Sequence, residues 1–422
     1  MESLPQPVLD ALEFERSNYA AASAKDDSFY SVPKDTSSAA PGTPLKVEKD
    51  VDVSKFLIPS ATALSRILYQ SEDLTGKRVP ASAFILWPYV PRSQPDGHAV
   101  VVWAHGTSSI TVEGAPSNHK NLWQHFLGPY PLALQGYVVV APDYAGLGVQ
   151  EDATGTPIVH QYLACPSHAN DAIYAVKAAQ ETFPELSQNF VVIGHSQGGG
   201  TAWATAQRQA EKPTAGYLGA VAISPVTTLL SQPEPFRSAL ATAICPGLTS
   251  TFPQFRPEDI LTEDGQRCLR VITESGAGVA SSIAILFGAK LLKEDWAQNE
   301  YVKRYWALIS NGGKAFDGPL LVMHGEADET LSVDATNEAV AKTAALVPAS
   351  SLEYITLPDV THAPALQASQ SIWMDWISDR FAGKEARSGL QRTTIVRPRP
   401  APSYQVAQSW YLEPASQFFH AP

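Results

Sequence analysis

The sequence predicts an α/β protein: a mostly parallel central sheet flanked by helices on both faces, with an inserted, mostly helical segment late in the chain. Three observations carry this expectation. Short apolar runs of strand length alternate with helix-like patterns from about residue 99 onward. A glycine-rich turn, Gly194-His195-Ser196-Gln197-Gly198, joins one such run to a helix-like stretch. The alternation then lapses after Ser224-Pro225 and resumes only at Pro319.

Taken in order, residues 1–63 are rich in Ser, Ala, Pro and Asp with weak periodicity, which predicts an irregular or partly helical arm. Ile67-Leu68-Tyr69-Gln70 and 81–87, joined through Glu72-Asp73-Leu74-Thr75-Gly76-Lys77, predict an antiparallel hairpin at a sheet edge. Strand and helix patterns then follow one another: strand 99–104, strand 137–141, helix 167–182, strand 190–193, helix 201–210, strand 218–223. Such alternation implies parallel pairing with helical crossovers on both faces. The core is therefore expected over 64–225 and 318–384, with an insertion over 226–317. In that insertion Pro233, Pro235, Pro246, Pro253 and Pro257 cluster beside helical patterns between residues 275 and 310. The tail, 385–422, carries Arg392, Arg397, Pro398, Arg399, Pro400 and Pro402, then Trp410-Tyr411 and Phe418-Phe419. A Pro/Arg stretch running over the surface and an aromatic end docked on the core are expected, since disordered segments rarely hold so many large aromatics.

Composition narrows the function classes. The 422 residues are 44% hydrophobic, ample for one large core with an insertion. A net charge of −12 argues against nucleic acids and anionic membrane surfaces as partners, because both reward clustered Lys and Arg. The three cysteines, Cys165, Cys245 and Cys268, are too few for a disulfide scaffold or a zinc site. Buried free thiols are expected, with a Cys245–Cys268 pair as the alternative in an oxidising compartment. No apolar segment approaches the roughly 20 residues of a membrane span; the longest candidate, 279–292, is interrupted by Ser281, Ser282 and Lys290. Met1-Glu2-Ser3-Leu4-Pro5-Gln6-Pro7 lacks the basic and apolar regions of a signal peptide. A cytoplasmic protein is expected, or a secreted one if the native start differs.

The chemistry centres on Ser196. A serine on a sharp strand-to-helix turn adopts a strained backbone, and the small residues Gly194 and Gly198 let strand and helix pass each other. The turn places Ser196 at a helix N-terminus, where free N–H groups favour developing negative charge. A serine hydroxyl needs a base, and the base needs a third group to fix its tautomer. Pro319-Leu320-Leu321-Val322-Met323-His324-Gly325 looks like a buried parallel strand, and Asp328 just beyond its end is the expected acid. Its rivals are Glu326, Asp334 and Asp359; Asp334 belongs to the next helical pattern, and Asp359 lies too near the histidine loop. Leu352-Glu353-Tyr354-Ile355-Thr356-Leu357 predicts the next strand, and His362 in the loop after it completes the chain order Ser, Asp, His. His195, His105 and His324 are expected to be packed, hydrogen-bonded residues. Two oxyanion donors are expected: the Gln197 amide, and the Thr107 amide after strand 99–104, with Gly106 allowing close approach.

The segments Trp103-Ala104-His105-Gly106-Thr107, Gly114-Ala115-Pro116-Ser117, Gly136-Tyr137-Val138-Val139-Val140-Ala141-Pro142-Asp143-Tyr144-Ala145-Gly146-Leu147-Gly148 and Gly194-His195-Ser196-Gln197-Gly198-Gly199 together resemble the secretory-lipase branch of the α/β-hydrolases and its bacterial and fungal esterase-like relatives. The likeness runs from about Tyr69 to Phe381. It implies the α/β-hydrolase fold, a cap inserted after the strand that follows the nucleophile helix, and lipase or esterase activity. One departure is that the cysteine commonly opening the Cys-Ala-Pro-Ser segment is Gly114. A serine hydrolase of carboxylic esters is expected, acting on a small-molecule ester or lipid-like substrate with no cofactor and no metal; the missing signal alone suggests a specialised metabolite rather than bulk lipid. Acyl transfer to an alcohol or lactone opening on the same fold is the alternative; a non-catalytic binding protein is disfavoured, because a strained elbow usually persists where it is used. Asp143 and Tyr144 are supporting candidates, either lining the pocket or, for Asp143, bonding neighbouring loops. Phe252, Phe255, Phe287, Trp296, Tyr301, Tyr305 and Trp306 suit an apolar acyl or polycyclic group, although aromatic residues in helices mostly serve to bury area.

Overall fold

Consecutive residues of a strand face opposite sides, and the central strands of this chain are apolar at nearly every position, which demands cover on both faces. The computed structural model, which describes residues 4–405, has that cover. In chain order the elements begin with α1 (Gln6–Ser17), β1 (Pro44–Glu48), β2 (Thr62–Glu72), β3 (Arg78–Pro88), β4 (Ser93–Gln94) and β5 (Gly97–Ala104). Next come α2 (Pro129–Leu134), β6 (Val138–Pro142), α3 (Cys165–Thr182), β7 (Leu186–His195), α4 (Gln197–Glu211) and β8 (Tyr217–Ile223). The segment after β8 holds α5 (Phe236–Ala243), α6 (Cys245–Thr251), α7 (Glu263–Ser275), α8 (Val279–Leu286) and α9 (Glu300–Ile309). The chain then returns through β9 (Leu320–Gly325), α10 (Val333–Leu346), β10 (Leu352–Leu357), α11 (Pro364–Ala368), α12 (Gln370–Phe381) and β11 (Leu390–Thr394).

The strands form one sheet in the order β1-β2-β3-β6-β5-β7-β8-β9-β10-β11, with β4 paired to β5. From β6 to β11 the pairing is parallel; β1, β2, β3 and β6 pair antiparallel. Val100, Val102, Val140 and Val192 lie on the face that packs against Ile173, Val176, Trp203 and Val340 of α3, α4 and α10. Val101, Trp103, Val139 and Ile193 pack on the other face against Tyr130, Leu132, Trp373 and Ile377 of α2 and α12. Each such buried aliphatic contributes roughly 1.5–3 kcal/mol, so a polar residue on either face of a central strand is strongly opposed.

The structure corrects the expected edges. The hairpin β2–β3 is not at the margin, because β1, from the expected arm, pairs outside it. At the opposite margin β11, from the start of the expected tail, adds a parallel strand beside β10, ahead of the Pro/Arg stretch. Both are short, with polar and partly exposed side chains. Edge strands this short carry too little apolar alternation to reveal them, and their charge protects the sheet from pairing with other chains. Trp410, Tyr411, Phe418 and Phe419 lie outside the described residues.

Residues 226–317 lie between β8 and β9, where α5 to α9 form their own apolar cluster with Ile244, Leu248, Phe255, Ile272 and Tyr305 at its centre. The arm contributes Val8 and Leu12 of α1 to this cluster. Cys165, Cys245 and Cys268 are buried free thiols. Among the described residues no helix is long and apolar enough to cross a membrane.

Candidate active site

Strand order places β5 between β6 and β7, so the crossover from β5 to β6 and the next, from β6 back past β5 to β7, run in opposite directions. A crevice opens at the carboxyl ends of strands where the order reverses in this way, and the candidate residues gather at that edge. Ser196 follows β7 directly and has φ 60° and ψ −118°, a conformation that costs a non-glycine residue of order 1–3 kcal/mol. A Cβ on Gly194 would overlap the carbonyl of Gly198, and one on Gly198 the carbonyl of Ala104. Both glycines are thus required by the crossing of β7, α4 and β5. Gln197 is the first residue of α4, where a backbone N–H has no acceptor within the helix.

The ends of β9 and β10 bring Asp328 and His362 together. His362 Nδ1 lies 2.7 Å from Asp328 Oδ2, so it carries the proton donated to the carboxylate and leaves Nε2 as an acceptor. Asp328 Oδ1 accepts the amides of Thr330 and Leu331 at 2.9 and 2.8 Å. His324, from β9 itself, places Nε2 3.1 Å from Oδ2. Burial works against charge on Asp328, but the hydrogen bonds from His324 and His362 hold its carboxyl well below the usual carboxylate range. The rivals stand elsewhere: Glu326 is exposed, Asp334 is in the first turn of α10, and Asp359 pairs with Arg397 at 2.6 Å.

The loop after β5 is clamped from several sides. Gly106 N donates to Gln124 Oε1 at 2.7 Å and Trp123 Nε1 donates to Gly106 O at 3.2 Å. A Cβ on Gly106 would stand 2.8 Å from Gln124 Nε2, so a side chain there would push the Gln124 amide away. The Thr107 hydroxyl is paired with the Tyr162 hydroxyl at 2.9 Å. His195 Nε2 lies 3.1 Å from the carbonyl of His362, and its Nδ1 lies 3.4 Å from Gln124 Nε2. The side chains of Gln124 and His195 therefore link the Gly106 loop to the His362 loop. Burial pushes the His195 imidazole down to about 3, so it stays neutral.

Asp143 and Tyr144 do not line the crevice. The Asp143 carboxylate is buried and accepts from Ser117 N at 2.8 Å and from the hydroxyls of Ser82 and Ser117, while Tyr144 Oη donates to His105 O at 3.0 Å. They brace the loop from behind. At the position of the missing cysteine, a Cβ on Gly114 would overlap Cβ of Ser109.

Ser196, His362, Gly106, Thr107 and His195 form one wall of a cavity of about 330 Å³. Opposite them stand Phe236, Ala239, Leu240 and Ala243 of α5, Ile272 of α7, and Val279, Ser282, Ile283 and Leu286 of α8, with Phe287 just beyond. Of the seven aromatics singled out in the insertion, Phe287 alone lines this cavity. Phe252 and Phe255 pack on Tyr301 within the helical cluster instead. Sequence reasoning missed Gln124, Tyr162 and Phe236. None follows a strand end, and each reaches the site only through tertiary packing.

A strained serine at a strand-to-helix elbow, with a histidine–carboxylate pair at later strand ends, defines the class as a doubly wound α/β protein with a hydrolase-type site. The chain belongs to the alpha/beta hydrolase family, whose model matches residues 101–372. No curated protein matches the sequence. Among solved structures, Candida antarctica lipase A in its closed state is similar over 87% of this chain and 88% of its own, with a TM-score of 0.70 at 16% identity. The rice cell wall degrading esterase LipA from Xanthomonas oryzae is similar over 82% and 99% of the two chains, with a TM-score of 0.60 at 19% identity. A putative hydrolase from Legionella pneumophila covers 81% and 96%, with a TM-score of 0.59 at 15% identity. At such identities the likeness is one of fold.

Proposed function

We propose that this protein is a serine hydrolase of carboxylic esters with a single apolar acyl group, and that the helices of 226–317 act as the cap over its site. Ser196 Oγ attacks the ester carbonyl as His362 Nε2 takes its proton, and the resulting oxyanion is held by the amides of Gln197 and Thr107. The imidazolium, stabilised by Asp328, gives the proton to the leaving alcohol. Water deprotonated by His362 then attacks the acyl-enzyme carbonyl, and Ser196 leaves with the proton as the acid departs.

The observation that supports this most directly is the 2.7 Å contact of His362 Nδ1 with a buried, fully hydrogen-bonded Asp328, beside Ser196 in one apolar cavity. A cavity of about 330 Å³ lies at the low end of the roughly 300–1,000 Å³ of small-molecule pockets, which suits one acyl chain rather than a bulk lipid. That the Candida and Xanthomonas proteins are called a lipase and an esterase fits the same chemistry.

The test is labelling with a fluorophosphonate probe, run on wild type and Ser196→Ala beside hydrolysis of p-nitrophenyl acetate and octanoate. Labelling and turnover are expected in wild type, with octanoate preferred, and both are expected to vanish in Ser196→Ala. Labelling without turnover of any ester, lactone included, would favour acyl transfer to a particular acceptor. Absence of labelling overturns the assignment of the nucleophile.

A further inference from the structure

The chemistry above uses nothing from residues 1–63, yet α1 reaches the wall of the cavity. Val8 and Leu12 are buried among the helices of the insertion. Near the end of α1, two adjacent residues of opposite charge meet the corner between α7 and α8. Glu15 Oε2 accepts from Gly278 N at 2.9 Å and from the Ser281 hydroxyl, and Oε1 accepts from Ser281 N at 3.1 Å. Amides at the start of a helix lack internal acceptors, and a carboxylate there is favoured by the helix dipole as well. Arg16 Nη2 donates to Ser275 O, at the end of α7, at 3.0 Å, where a cation meets carbonyls that lack internal donors.

The same corner is held from the active-site side. Ser109, two residues beyond Thr107, donates its hydroxyl to Ala277 O at 2.6 Å and pairs with Gly278 in an isolated antiparallel bridge. A Cβ on Gly278 would stand 2.7 Å from the Glu15 carboxyl, so the close approach needs a glycine. From this corner α8 runs on to give Val279, Ser282, Ile283 and Leu286 to the cavity.

We propose that α1 is an internal strap, with Glu15 and Arg16 as positioning residues that set acyl specificity by fixing α8 against the loop of Thr107. The acyl part of this inference rests on the function proposed above; the strap itself does not. Glu15 touches no reacting atom. Its loss frees the start of α8 and blurs the wall on which a longer acyl chain packs, while an acetyl group beside Ser196 scarcely meets that wall.

The experiment compares wild type, Glu15→Ala and Glu15→Gln in full-length protein, by ester kinetics and by hydrogen exchange of the amides of 278–287. In Glu15→Ala the kcat/KM for p-nitrophenyl octanoate is expected to fall about fivefold, through KM, as three donors lose their acceptor. The value for the acetate is expected to stay within about twofold, and exchange in 278–287 to quicken about tenfold. Glu15→Gln keeps the size and one acceptor oxygen, is the milder variant should Glu15→Ala fold poorly, and is expected to fall between. Equal losses on both esters, or no loss on either, overturn the specificity role; unchanged exchange in both variants overturns the strap. A wild type that neither labels nor hydrolyses esters overturns the esterase function instead, and the exchange measurement still decides the strap.

Discussion

Asp328 has its acceptor positions occupied by two backbone amides on Oδ1 and two histidines on Oδ2. An asparagine fits the same space but cannot accept on both sides. If its amide nitrogen faces the histidines, His362 loses the acceptor that keeps the proton on Nδ1, and Nε2 becomes a donor unable to take the proton of Ser196 in the proposed reaction. Asp328→Asn is therefore expected to lower kcat by about 10³–10⁴ with little change in KM. Steady-state kinetics on the octanoate ester checks this, and retention of more than about a tenth of kcat would remove Asp328 from the role of orienting acid. This residue was legible in the sequence because a carboxylate just past an apolar strand is local information. Its second histidine was not: His324 reads as one more strand residue, and only the turn through Leu331 brings its ring to the carboxylate.

At the scale of elements, the central strands and their crossover helices were legible because each carries its periodicity in a short window. The segment 122–125 shows the opposite case. Leu122, Trp123, Gln124 and His125 have φ of 52°, 50°, 41° and 20°, a run of positive values with no glycine to announce it. Side chains crowd the backbone in that region, so the run persists only because surrounding structure imposes it. Its product is the placement of Gln124 between Gly106 N and the His195 ring. Gln124→Leu keeps much of the volume and removes both hydrogen bonds, leaving the Gly106 amide unpaired. With the proposed Thr107 donor displaced, kcat is expected to fall about 10- to 100-fold while KM for the acetate ester stays within about threefold. A fall carried by KM instead would mean that Gln124 shapes binding rather than the oxyanion loop.

Across the whole molecule, the neutral histidines buried around the loops couple stability to pH. Burial lowers His105 and His160 to about 4, His119 and His195 to about 3, and His168 well below its ordinary value. A histidine whose folded pKa lies below its unfolded value of about 6.5 stabilises the fold above that pH and loses this contribution as pH falls. Two buried carboxyls act with the opposite sign. Burial, only partly offset by hydrogen bonds, raises Asp143 to about 6 and Asp171 to about 7, so their contribution is present at low pH and lost as pH rises through those values. Between about pH 4 and 6, unfolding thus binds about five protons on histidines and releases about two from carboxyls, a slope of roughly 4 kcal/mol per pH unit. Against a total stability of about 5–15 kcal/mol, a single pH unit in that window is a large fraction. Thermal unfolding by calorimetry from pH 8 to 5 is expected to show a midpoint that changes little down to about 6.5 and then drops by about 5 °C. His168→Leu, at a ring whose nitrogens bond no other side chain, is expected to reduce the proton uptake by about one and soften the drop. A midpoint that stays level to pH 5 in wild type would mean that these histidines do not remain neutral and buried in the folded protein, and the link that His195 makes between the Gly106 and His362 loops would have to be redrawn.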